Sequence, residues 1–385
     1  MPGDGIRYPL KTMKWILAIF VFVACGAIFY IRAAQDAKSR LASEWQQESW
    51  MQPDPLLPND TPSRLLAITD LPPLDPTPTP ADFVATVRKS KQAGCNAAVL
   101  TFSWPALESQ AGQFTFDELK GAVELHSGRA LFLGIQVVNT TVREMPGDLS
   151  SKPFDDPEVL ARFRSLLDAL APLLKNRVRF LSIGNETDIY LSAHPDEAES
   201  FETFLNAGYR HAKSLASNLT VSTTLTDAGA LQPEFRKLVQ SMDAHFLTYY
   251  HIKHGVSGAF KDPETTKQDI LALAGGLDTR PIVFQEIGFP AHESLGSPEG
   301  QVVFVNGVFD AWDGLGNRVA FVNYFMMYDF PKSFVKDLVT YYGLTNETEW
   351  LAKYLGSLGL HTSDGRPRPG WDVFSRRGNE LHKGG

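Results

Sequence analysis

From position 64 to about position 360 the chain alternates between short runs of consecutive apolar residues and longer stretches in which apolar residues recur every three or four positions. The first pattern reads as strands buried on both faces, the second as helices buried on one. Strands are expected at 65–69, 97–102, 130–138, 177–186, 220–225, 245–250, 282–287 and 319–325. Helices fill the gaps. The clearest follows Asp156-Pro157, an N-cap and a first-turn proline, with Val159, Leu160, Phe163, Leu166, Leu167 and Leu170 on one face. Others run over 81–93, near 116–125, and through Phe201, Phe204, Leu205, Ala212 and Leu215; three more open on Pro233, Pro263 and Pro298. Trp350, Leu351, Tyr354, Leu355 and Leu358 make a last amphipathic helix, expected to close the wall, and residues 361–385, rich in glycine, arginine and proline, read as a loosely held tail.

Eight near-continuous apolar strands separated by helices indicate an α/β chain with a parallel sheet covered on both sides. Their number and span suit a closed (β/α)8 TIM barrel over 64–360. The competing doubly wound open sheet carries a glycine-rich phosphate loop after its first strand, whereas Thr69-Asp70-Leu71-Pro72-Pro73 contains no glycine.

Two segments precede the barrel. Residues 15–31 form an apolar run behind Arg7, Lys11 and Lys14, close to the shortest helix that spans a bilayer, about 17 to 25 residues. The flanking charges place the N-terminus in the cytoplasm and the barrel outside it. Arg32-Ala33-Ala34 is a poor cleavage site, so residues 1–34 read as an uncleaved membrane anchor in preference to a removed signal; in either case the chain is exported, anchored or secreted. Residues 35–63 are polar and then proline-rich, the composition of a semi-rigid spacer.

Composition narrows the chemistry. Of 385 residues, 43% are hydrophobic, enough for one large core. The net charge of -8 is spread along the chain with no basic face, which excludes nucleic acid as the expected partner. The two cysteines, Cys25 and Cys95, supply neither a disulfide framework nor a metal-ligand spacing, and no phosphate loop or serine nucleophile elbow occurs, so neither a metal nor another cofactor is expected.

In a barrel, chemistry sits at the C-terminal ends of strands. Two acids are placed there: Glu186, closing the fourth strand after Gly184-Asn185, and Glu286, closing the seventh after Gln285. Two carboxyls about 5 to 5.5 Å apart across a barrel mouth can cleave a glycosidic bond with retention, one giving its proton to the leaving oxygen and the other attacking the anomeric carbon. An isolated Asn-Glu pair is ordinarily a helix cap. The second glutamate on a later strand is what lifts it to a candidate catalytic pair.

These segments resemble the large clan of retaining (β/α)8 glycoside hydrolases, clan A, over residues 65–330. The resemblance implies an acid/base at Glu186, a sugar 2-hydroxyl contact at Asn185 and a nucleophile at Glu286. Asp243-Ala244-His245-Phe246-Leu247-Thr248-Tyr249-Tyr250 with His254-Gly255, and Glu286-Ile287-Gly288-Phe289-Pro290, are similar to segments of the arabinogalactan endo-β-1,4-galactanases. Where the clan often has a tryptophan after its eighth strand, this chain has Asn323-Tyr324-Phe325-Met326-Met327, which leaves the sugar open.

Further candidates for contact with a carbohydrate substrate line the same strand ends: Tyr249 and Tyr250, Trp104 as a stacking platform, Asn139, His251, Asn323 and Tyr324. One of the two tyrosines should face inward to the nucleophile, since strand side chains alternate, and the pattern does not say which. Each has a structural alternative as a packing aromatic or a satisfied loop residue. Two other functions fit the same acids: a membrane-tethered transglycosylase of the cell envelope, with a sugar hydroxyl in place of water, and a non-catalytic glycan-binding barrel.

Overall fold

The computed structural model describes residues 49–57, 64–253, 259–343 and 348–381. The apolar run at 15–31, and with it the expected anchor, lies outside the described residues, as does the segment containing His254 and Gly255. Among the described residues no helix is long and apolar enough to cross a membrane.

The strands are β1 (Leu65–Ile68), β2 (Ala97–Ser103), β3 (Ala130–Asn139), a short β4 (Val142–Arg143), β5 (Val178–Asn185), β6 (Thr220–Ser222), β7 (Thr224–Thr226), β8 (His245–Tyr249), β9 (Ile282–Ile287) and β10 (Val319–Tyr324). Apart from β4, which folds back antiparallel on β3, all pair in parallel, in the orders β2-β3-β5-β6 and β7-β8-β9-β10-β1. β6 and β7 are one wall strand interrupted at Thr223. The remaining seam is held by Asn96: its Oδ1 accepts from the Leu66 N–H at 2.8 Å, its own N–H donates to the Leu66 carbonyl at 3.1 Å, and its Nδ2 donates to the Arg64 carbonyl at 3.3 Å. The result is a TIM barrel.

The inside of the barrel is plugged by Phe132, Phe180, Phe246 and Phe321, one from each of four strands, with small residues such as Ala67, Ala97 and Ala244 between them. Ring centroids 5.3 to 6.0 Å apart, tilted or edge-on, fill the lumen. Polar side chains entering the barrel therefore collect above this plug, towards the strand C-termini.

Helices surround the wall: α1 (Pro80–Gln92), α2 (Trp104–Leu107), α3 (Asp117–Leu125), α4 (Pro157–Asn176), α5 (Thr187–Ala193), α6 (Ala198–Leu215), α7 (Pro233–Leu238), α8 (Thr266–Gly276), α9 (Pro298–Leu315), α10 (Lys332–Tyr341), α11 (Thr348–Leu355) and α12 (Pro369–Glu380). α4 starts as its sequence dictates, with the Asp156 side chain accepting from the Glu158 N–H and Pro157 at the first helical position.

Three expectations are corrected. The wall is closed by α12 from the supposed tail, not by the helix carrying Trp350 and Tyr354. Phe374 of α12 is buried, and Gly378 packs so tightly on Ala93 and Gly94 that a Cβ at 378 would lie 2.3 Å from the Ala93 carbonyl oxygen. Arg377 pairs with Asp310 and Asp313 of α9. The helix α11 instead lies over the barrel mouth, where Tyr354 packs on Tyr250. Lastly, residues 49–57 of the expected spacer are docked on the opposite end of the barrel: Trp50 is buried against Phe116, and Asp54 takes hydrogen bonds from Ser127 and Gly128 and pairs with Arg177 at 3.0 Å. An aromatic anchor and a buried ion pair hold this part of the chain in place.

Candidate active site

Glu186 follows β5 and sits in left-handed backbone, φ 47°, just before α5. A glutamate there is strained, and strain of this kind persists where surrounding contacts over-determine it. Gly184, at φ 92°, makes the turn possible: a Cβ there would lie 2.6 Å from Thr187. The Glu186 carboxyl is fully buried. Its Oε2 accepts from the Thr140 hydroxyl at 2.9 Å and its Oε1 from the Thr248 hydroxyl at 2.7 Å.

Glu286, 2% exposed, ends β9. Its Oε2 accepts a 2.6 Å hydrogen bond from the Tyr250 hydroxyl, and its Oε1 a longer one, 3.4 Å, from Gln285. The Gln285 amide also donates to Asn185 Oδ1 at 2.8 Å, Asn185 Nδ2 donates to Asn139 Oδ1 at 3.3 Å, and Asn139 Nδ2 donates to the Tyr342 hydroxyl at 2.8 Å. Asn323 Nδ2 ties β10 into the network through the Gln285 carbonyl and Thr69. Thus Glu186, Glu286, Asn185, Asn139, Asn323 and Tyr250 share one buried polar site, and strands β3, β5, β8, β9 and β10 each contribute to it or border it.

The electrostatics separate the two acids. Burial raises the Glu186 pKa well above the ordinary carboxylate range, and the negative charges of Glu286 and Asp188 raise it further, against the hydroxyls of Thr248 and Thr140. Burial also raises Glu286, with the hydrogen bonds from Tyr250 and Gln285 opposing it. Two like charges in one dry site cannot both be present cheaply, so the pair holds a proton up to higher pH than a lone carboxylate. Glu186 receives the greater upward push, so Glu286, itself raised to about 8, is the first of the two to lose its proton as pH rises, beside the short Tyr250 hydrogen bond. Burial pushes Tyr250 itself well above its usual pKa, and the Glu286 charge adds to this, so it stays a hydrogen donor.

Four candidates lie elsewhere. Trp104 is wholly buried on the outer side of β2: its Nε1 donates to Glu108 at 2.6 Å and its ring meets Phe163 and Phe204 under α4 and α6, so it cannot stack on a sugar at the mouth. Tyr249 points outward between the wall and the helices, donating to Asp269 at 2.8 Å. His251 joins that outer cluster, its ring near Phe289 and Phe304 and its Nε2 facing the Asp262 carbonyl. Tyr324 is also outward, hydrogen-bonded to the Leu358 carbonyl and edge-on to Phe374.

Thr140, Thr248, Gln136 and Tyr354 belong to the site region and were not anticipated. Thr248 had a signal, since it lies two residues before Tyr250 on one strand and two after the plug residue Phe246. Gln136 lies on the inward face of β3, two turns of the pleat beyond Phe132, and both atoms of its amide lack a partner among the described residues. Tyr354 comes from a segment whose position over the mouth no local pattern encodes.

No protein-family model matches the chain, and no curated protein matches it in sequence. Solved structures do match in shape. A GH5_18 protein from Bifidobacterium longum subsp. longum is 17% identical, with a TM-score of 0.62 over 84% of this chain and 80% of its own. The exo-β-1,4-mannosidase Op5Man5 from the Opitutaceae bacterium strain TAV5 is 13% identical, with a TM-score of 0.65 over 83% of this chain and 60% of its own. A GH5_18 protein from Streptomyces cattleya, solved with GlcNAc, is 16% identical, with a TM-score of 0.62 over 84% and 81%. At these identities the likeness establishes the fold.

Proposed function

We propose that the chain is a retaining glycoside hydrolase that cleaves β-linked sugars by double displacement. One observation carries this reading: two buried carboxyls from the fourth and seventh wall strands meet in one hydrogen-bonded site, with environments that push their protonation apart. Glu286, ionised, attacks the anomeric carbon while Glu186 gives its proton to the departing oxygen; a water deprotonated by Glu186 then releases the sugar with its configuration retained. Tyr250 steadies the charge on the nucleophile, and Asn185, Asn139 and Asn323 offer hydrogen-bonding groups for sugar hydroxyls.

β-Mannosides lead the candidate substrates, because structural relatives include an exo-β-1,4-mannosidase and proteins solved with Manβ1-4GlcNAc. Galactan stands beside them on the local likeness of residues 243–250 and 286–290 to endo-galactanases. The charge flanks of the leading run support an exported barrel, tethered or secreted.

The test is turnover and stereochemistry. Aryl β-glycosides and β-glycans should be hydrolysed by the wild type with retention, and Glu186→Gln should lower kcat/KM by about 10²- to 10⁴-fold on substrates with poor leaving groups but little on activated aryl glycosides, for which kcat falls because no base remains to deprotonate water. Azide should rescue Glu286→Gly to an α-glycosyl azide and Glu186→Ala to a β-glycosyl azide. An active Glu286→Gly enzyme without azide would overturn the assignment. Products formed with excess acceptor sugar separate hydrolysis from transglycosylation, and glycan affinity without turnover across the panel would mark a binding barrel.

A further inference from the structure

The described parts of the segment between β10 and α12, residues 325–343 and 348–368, form a roof over the two glutamates. Its two helices reach different sides of the mouth: Tyr342, after α10, accepts a hydrogen bond from Asn139 at the end of β3, whereas Tyr354 of α11 packs edge-on against Tyr250 beyond β8, with ring centroids 6.0 Å apart. The roof is tied down through Ala291 N–H to the Ser357 carbonyl, Leu360 N–H to the Met326 carbonyl and Phe330 N–H to the Leu355 carbonyl. Beneath it both glutamates are almost completely covered.

Within this roof the Tyr341 hydroxyl, Trp350 Nε1 and the Tyr354 hydroxyl lack a hydrogen-bond partner among the described residues, and of these three residues Tyr354 is the one that packs on Tyr250. It is fully buried, and its hydroxyl has no hydrogen-bond partner among the described residues. A buried hydroxyl left unpaired costs about 1–3 kcal/mol, and few native side chains bear that cost without a ligand or water to complete them. The ring is held on three sides: stacked on Trp350 at 5.1 Å and on Phe260 at 5.7 Å, and edge-on to Tyr250. Such packing leaves the hydroxyl a fixed direction. Its proton is held first by burial and then by electrostatic interaction with the Glu286 and Glu186 carboxyls, which places it within reach of the pair. Two more orphaned polar groups face the same interior from the wall, Asn323 Oδ1 on β10 and the Gln136 amide on β3. These three buried groups from three elements each lack a partner that a polyhydroxylated ligand could supply.

We infer that Tyr354 is a sugar-contacting residue, its hydroxyl hydrogen-bonding a hydroxyl of the sugar unit held between Glu186 and Glu286, with Gln136 and Asn323 completing the set from below. This rests on the reading of the two glutamates as a glycosidase pair. The roof segment thereby supplies the contact that sorts one sugar from another.

The experiment is Tyr354→Phe, which removes the hydroxyl and keeps the ring, assayed with p-nitrophenyl β-mannoside, β-glucoside and β-galactoside beside the wild type. The expected result is a roughly tenfold loss of kcat/KM on the preferred glycoside, with the thermal midpoint unchanged or raised, since an unpaired hydroxyl has been removed. On the monodeoxy glycoside lacking the partner hydroxyl, wild type and variant should be equal, a coincidence that a purely structural role would not produce. Wild-type kcat/KM retained by the variant on every glycoside, or activity lost only in step with a falling thermal midpoint, would overturn the inference alone. A wild type that turns over none of the three, nor any β-glycan, would overturn the glycosidase reading and this inference with it.

Discussion

At the scale of single residues, the proposed chemistry depends on one short hydrogen bond and on where a proton rests. Tyr250→Phe removes the donor that opposes the burial of the Glu286 charge. The Glu286 pKa should therefore rise, moving the acid limb of the pH–kcat/KM profile upward; a limb that stays in place would show that the hydroxyl does not steady the nucleophile. Neutralising Glu286 as Glu286→Gln should lower the Glu186 pKa, because the neighbouring negative charge that raises it is gone; carboxyl-labelled NMR titration reads this directly. The same shifts bear on stability. A carboxyl whose folded pKa lies above its unfolded value adds stability that is complete below the unfolded pKa and lost as pH rises through the folded one. Glu186→Gln should consequently melt higher than the wild type, by a margin that grows as pH rises past the ordinary carboxylate range. Whether Tyr249 or Tyr250 reaches Glu286 was illegible in the sequence, for in a parallel barrel both faces of a strand are buried and the alternation of apolar and polar residues that would mark the inside is erased. Trp104 misled for a related reason: an aromatic after a strand end fits both a sugar platform and the packing under α4 and α6.

At the scale of elements, the wall strands and most helices were legible because each carries its own signal. The expected and observed bounds of β9 coincide at Ile282–Ile287, and α4 begins at its proline behind a capping aspartate. The exceptions are elements whose role is set by their neighbours. α12 is poor in apolar residues, yet Gly378 meets Gly94, at φ 90°, with no room for a side chain on either, so the helix docks by close backbone approach. Gly378→Ala should cost about 1–3 kcal/mol by overpacking against the Ala93 carbonyl, seen as a lower thermal midpoint with kcat unchanged in the folded fraction. The helix α11 has the pattern of a wall helix and serves as roof, since an amphipathic stripe states that one face is buried and says nothing of what buries it.

At the scale of the whole molecule, the barrel is a rigid stage built on its aromatic plug. Phe132 touches Phe180, Phe246 and Phe321 at once, so Phe132→Ala should destabilise by about 3–5 kcal/mol, measured by denaturant midpoint, while the strand ends above keep their chemistry at temperatures where the variant is folded. By itself the sequence determined the wall strands, most of the helices between them and the two acids at strand ends, because periodicity, caps and turn prolines are local and survive in one dimension. Only the tertiary structure decided which side chains share a pocket: that Thr140, Thr248 and Tyr250 surround the acids, that Tyr249, His251 and Tyr324 face outward, and that a segment near the C-terminus roofs the site. Those relations depend on strand rotation and on contacts between residues distant in the chain, which no local pattern records.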